Sequence, residues 1–145
     1  MAEFPWLSNR LGAMAGMNGG GLPLTDQLPI RMLASLGDAV TGLYEREKAF
    51  RNCASAKQMH RLVRDRVNAK AQADFLDQIT TNLNEKELDL VRRARNLKAG
   101  NYRRSEQNLY RKATAFEALI GYLYVCDPKR LNELLQLVDK SQISL

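Results

Sequence analysis

Residues 109–124, LYRKATAFEALIGYLY, place Leu109, Ala113, Phe116, Ile120 and Leu123 at intervals of 4, 3, 4 and 3. That spacing follows the 3.6-residue turn of an α-helix, so these side chains share one apolar face and the segment reads as a buried helix. Glu117 stands inside it. An earlier run, LASLGDAVTGLY at 33–44, has the same character: Leu33, Leu36, Val40, Leu43 and Tyr44 form a stripe that continues to about Phe50 and encloses Asp38. Acids are seldom kept inside apolar stripes unless they are paired.

The neighbours of these acids are small. On a helix, residues three and four apart share a face; for Asp38 these are Ala34, Ser35, Thr41 and Gly42, with Gly37 adjacent, and for Glu117 they are Ala113, Thr114, Ile120 and Gly121. Small flanks let two helix backbones approach closely, so the two acids could face each other across a tight crossing, although periodicity alone does not show that they meet. An uncompensated buried charge is costly or shifts its pKa until it neutralises. A hard divalent cation would compensate both acids.

Working outward, further helices are expected. Ser55–Gln58 has the form of a capping box and opens a helical region with Met59, Val63 and Val67 on one face; it breaks near Asn68 and resumes through Phe75, Leu76 and Ile79. Asn84–Glu87 is a second cap signal, starting a helix through Leu88 and Val91 toward Arg95. Residues 98–106, KAGNYRRSE, read as a loop. Asp127-Pro128 supplies an N-cap followed by a first-turn proline for a last helix bearing Leu131, Leu134, Leu135 and Val138. No alternating strand pattern competes, so the expected fold is all-α. Residues 1–22, with Pro5, Trp6 and the run NGGG at 18–21, read as a flexible appendage, leaving 23–145 as one folded domain.

Composition is that of an ordinary folding chain: 145 residues, 45% hydrophobic and 26% charged, which argues against disorder. No apolar run approaches the roughly 20 residues of a membrane span, and the first residues lack a secretory pattern, so a cytoplasmic protein, or a processed organelle form, is expected. Cys53 and Cys126 with the lone His60 cannot make a common zinc site and read as reduced thiols. The net charge of +6 is concentrated: Arg92, Arg93, Arg95, Lys98, Arg103, Arg104, Arg111 and Lys112 face a single acid, Glu106. Such a surface attracts a polyanion and releases its counterions on binding.

LGDAV at 36–40 and FEALIGYLY at 116–124 resemble the two acidic motifs of the ribonuclease III family. With NAKAQA at 68–73, LNEKE at 83–87, RRARNLK at 92–98 and YRKATAFEALIGYLY at 110–124, in that order and at those intervals, the chain resembles the Mini-ribonuclease III branch over roughly residues 24–140. The larger ribonuclease III enzymes carry acids where Ala34 and Thr114 stand here, and a double-stranded RNA-binding domain for which no counterpart is seen here; both departures also resemble Mini-III.

The resemblance implies a homodimeric endoribonuclease that cuts double-stranded RNA, with Asp38 and Glu117 as catalytic residues and ligands of Mg²⁺, for which Mn²⁺ could substitute. It implies maturation of precursor 23S ribosomal RNA ends, with a ribosomal protein as a candidate presenter of the substrate. The basic cluster and the RARNLK match nominate Arg93, Arg95, Asn96, Lys98, Asn101, Arg103 and Arg104 for RNA contact, with Lys70 and Gln72 from NAKAQA. One other reading keeps the fold but is catalytically silent, as an RNA-binding or ribosome-associated structural protein. Another is an all-α interaction module, which would leave the ordered motif matches unexplained.

Overall fold

Pro29 opens the first helix: its backbone is extended, and its carbonyl accepts from the Leu33 N–H at 3.1 Å. The computed structural model describes residues 29–97 and 103–143, apart from the side chains of Ser105 and 141–143, so the expected appendage at 1–22 lies outside it. The stripe around Asp38 forms α1, Ile30–Asn52.

Caps then set the next boundaries. Ser55 Oγ accepts from the Gln58 N–H at 3.2 Å to start α2, Ala56–Val67, while Gln58 Oε1 accepts from Ala54, one residue upstream of the usual reciprocal partner. Asn68 ends α2 and begins α3, Ala69–Ile79: its Oδ1 accepts from the Ala71 N–H at 2.8 Å and its Nδ2 donates to the Arg64 carbonyl at 3.0 Å. One 3₁₀ turn, Thr80–Asn82, follows. Asn84 and Glu87 form a complete capping box for α4, Glu85–Arg95, with reciprocal bonds of 2.9 and 3.0 Å.

α5, Arg104–Cys126, starts inside the stretch expected to be loop. Its first turn, RSEQ, has no apolar residue and its N-cap Arg103 makes no side-chain cap bond, so neither signal of a helix start is written there. α6, Pro128–Ile143, begins as expected, with Asp127 Oδ1 accepting from the Arg130 N–H at 3.1 Å. The described residues are helical and loop only, an all-α fold. None of these helices is long and apolar enough to cross a membrane.

α5 is the central post. Ala115, Ala118, Leu119 and Ile120 are wholly buried in it, and α1, α3, α4 and α6 pack around it. Phe116 meets Phe75 of α3 in a tilted pair with centroids 5.9 Å apart. Each large apolar side chain so buried contributes about 1.5–3 kcal/mol.

The closest approach is α1 against α5, where two glycines remove the side chains that would hold the helices apart. A β-carbon on Gly37 would lie 1.7 Å from the Glu117 carbonyl oxygen, and one on Gly121 would lie 2.0 Å from the Leu33 carbonyl oxygen. Ion pairs fasten the periphery. Arg130 of α6 grips the buried Glu87 with two bonds of 3.0 Å. Arg66 of α2 bridges Glu45 of α1 at 2.6 Å and Asp139 of α6 at 2.9 Å.

Candidate active site

The glycine crossing brings Asp38 of α1 and Glu117 of α5 together, because each acid sits within a residue of the backbone contact. Their carboxyls lie within hydrogen-bonding reach of each other. Asp38 is exposed and Glu117 half-buried, so the pair opens to solvent at one edge while its other edge is sunk in the core. Burial, and then the neighbouring Asp38 charge, push Glu117 from the ordinary 4.5 up to about 7. Gln72 of α3, beside it, is the group that favours its ionised form.

Two like charges pressed together at the edge of a core form a site that lacks positive charge. Among the described residues no group of three or more His, Cys, Asp or Glu is gathered, so the donor set here is these two carboxylates and neighbouring polar groups. Hard oxygen donors in that number suit Mg²⁺, which usually keeps several waters and takes one or two protein carboxylates. Ala34 and Thr114 flank the pair as buried and half-buried neighbours and add no charge.

Gln72 is not at the surface beside Lys70. It is 2% exposed, facing Glu117, and burial removes it from the direct RNA contact expected of it. Lys70 is exposed on the rim of a separate concavity of about 540 Å³ whose lining includes Asp65, Asp74 and Asp77.

The basic residues also divide. Arg93 and Arg95 lie two apart on α4 and therefore point to different sides. Arg93 donates to Asp89 at 3.1 Å and lines a concavity with Glu85, Lys86 and Tyr122. Arg95 and Asn96 line another, of about 380 Å³, together with Arg92, Arg111, Asn108 and Thr80, and among the described residues no carboxylate borders it. Arg103 and Arg104 are exposed at the start of α5, whereas Lys98 and Asn101 lie outside the described residues. Arg92, Asn108 and Arg111 share this concavity although they are not among the residues nominated for RNA contact. The i, i+3 spacings of Arg92 with Arg95 and of Asn108 with Arg111 would have flagged two facing polar stripes.

These features match known proteins. Residues 31–128 match the Ribonuclease III domain model. The chain is 40% identical over 110 residues to the Mini-ribonuclease 3 of a Synechococcus species, covering 76% of this chain and 80% of that one. It is 43% identical over 110 residues to that of a Thermoanaerobacter species, covering 73% and 77%. A Fusobacterium nucleatum protein solved by X-ray crystallography superposes with a TM-score of 0.69 at 26% identity, covering 80% of this chain and 96% of that one. The chain thus belongs to the ribonuclease III family and, within it, to the Mini-ribonuclease 3 group.

Proposed function

We propose that this chain is an endoribonuclease that cuts double-stranded RNA, with Asp38 and Glu117 as its hydrolytic centre. The observation that carries the reading is that pair itself, two acids from distant helices joined across a glycine crossing and open to solvent on one edge. A protein that only bound RNA would gain nothing from holding two acids where a polyanion must approach.

Asp38 and Glu117 would hold a Mg²⁺-like ion, which would supply Lewis-acid polarisation of a phosphodiester and a more acidic water for in-line attack. The residues do the rest. Glu117 gives the site a fixed wall, because its helix cannot move without the core. Asp38, on the solvent edge, meets the phosphate that enters. Arg95, Asn96 and Arg111, with Arg103 and Arg104, supply positive charge and donors for the backbone of an A-form duplex, whose base edges are hidden in a narrow major groove. The products are 5′-phosphate and 3′-hydroxyl ends.

Cutting both strands takes two sites related by symmetry, and α1 offers a surface for that. Met32, Ala39, Leu43 and Phe50 recur along one side of the helix and are all exposed, Phe50 at 76%. Leu43 and Phe50 also border a concavity of about 440 Å³ with Met59. An apolar stripe of this kind suits an isologous homodimer of about 33 kDa, twice the 16.4-kDa chain. Precursor 23S ribosomal RNA in the cytoplasm or an organelle stroma, presented by a ribosomal protein, is the substrate in keeping with the family.

The deciding test incubates the protein with a long RNA duplex in Mg²⁺ or in chelator, beside Asp38→Asn. Metal-dependent cutting of both strands, abolished in the variant, is expected. Tight binding of many duplexes without cutting would favour a silent RNA-binding relative instead.

A further inference from the structure

Gln72 has a property that stability does not explain. Its side chain is 2% exposed, yet Nε2 completes no hydrogen bond. A buried amide left in that state is a net cost to the fold, and an apolar side chain of the same size would remove it. Unsatisfied buried groups in folded proteins call for a specific explanation, and here the surroundings offer one.

The Asn68 cap fixes where α3 begins and hence the phase of every residue after it; Gln72, in the helix's first turns, is thereby turned inward among Ala73, Phe75 and Leu76. Its carboxamide lies beside the Glu117 carboxyl and favours the ionised form, while Nε2 meets no acceptor in full hydrogen-bond geometry. On α1, Thr41 stands one turn beyond Asp38, is likewise 2% exposed, and its Oγ1 also has no partner. Of these two orphaned polar groups, Gln72 is the one that acts on Glu117.

We propose that Gln72 is a positioning residue, whose Nε2 holds the Glu117 carboxylate by one oxygen and leaves the other directed at the cation shared with Asp38. The inference rests on the metal-dependent nuclease reading and adds to it a residue that touches neither substrate nor ion. Amides have one advantage in this place over a third acid: they orient a carboxylate without adding repulsion to a pair already crowded by like charge.

The test compares Gln72→Leu with the full-length wild type by Mn²⁺ affinity, followed by electron paramagnetic resonance without RNA, and by thermal midpoint, duplex binding in chelator and cleavage. Removing an outer partner of a metal ligand typically weakens binding about 10–100-fold. The expected result is a Mn²⁺ affinity at least about tenfold weaker, a melting point equal to or above wild type, and unchanged duplex binding in chelator. Cleavage should fall at low Mn²⁺ and recover in part as the ion is raised.

Gln72→Met, unbranched and of similar length, serves as the second variant if leucine does not fit. Affinity within twofold of wild type in a folded variant overturns the proposal and leaves the nuclease reading standing. Melting points that drop in step with affinity in both variants also overturn it, since Gln72 would then be structural. A wild-type protein that neither binds Mn²⁺ nor cuts duplex RNA removes both readings together.

Discussion

Gly37 and Glu117 are neighbours through their backbones: the space a β-carbon on residue 37 would occupy is held by the Glu117 carbonyl oxygen, 1.7 Å away. The side chain of Glu117 and the helix crossing beneath it are therefore set by the same contact. Gly37→Ala must push α1 from α5. Overpacking a fitted core costs about 1–3 kcal/mol, and a backbone obstacle yields less readily than a side chain. The expected outcome is a loss of about 3 kcal/mol or more in chemical denaturation, with metal affinity reduced in whatever remains folded. A variant as stable as wild type would show that the crossing has slack.

Glu117 predicts a pH signature. Its folded pKa, about 7, lies above the ordinary 4.5, so the stability gained from the protonated carboxyl is fully present below about 4.5 and is lost as pH rises through 7. In chelator, the wild-type melting point should decline over that window relative to Glu117→Gln, and Mn²⁺ affinity should weaken as pH drops below 7 because proton and ion compete. Superimposable melting profiles for the two proteins would rule this out.

The division of the arginines predicts unequal effects on RNA binding. Arg95 and Arg111 share a concavity that no carboxylate among the described residues borders, whereas Arg93 is occupied by Asp89. Replacing Arg95 and Arg111 with alanine should weaken duplex binding and reduce the slope of log K against log salt by about 2. Arg93→Ala should change that slope by less. Equal slopes for all three proteins would place the RNA elsewhere.

Phe50→Asp tests the exposed side of α1. Phe50 is 76% exposed in the single chain, so the substitution leaves the core intact while placing a charge on the apolar stripe. Light scattering should report a dimer for wild type and the 16.4-kDa monomer for the variant, with an unchanged helical circular dichroism spectrum. A wild-type monomer, or a variant dimer, would remove this face from consideration.

Much of the fold was legible because its boundaries are written in local chemistry. Asn68, Asn84 and Asp127 each accept from the backbone N–H three residues ahead, and such caps can be read one segment at a time. The start of α5 was not legible, since Arg103–Gln107 carries neither cap nor stripe and is held by the helix it leads into. The acid pair was half-legible: small flanks announced a close crossing, but which helices cross is a long-range fact that no window contains. Gln72 was misread for a related reason. NAKAQA nominated Lys70 and Gln72 alike, and only the phase set by Asn68 shows that Gln72 turns inward while Lys70 turns out.

Because α5 is both the post of the core and the carrier of Glu117, that acid is inherited with the fold, while Arg95, Asn96, Arg103 and Arg104 sit on exposed positions that packing does not constrain. Under the proposed reading, descendants of this chain are free to drift in which duplexes they recognise while the way they break a phosphodiester stays fixed.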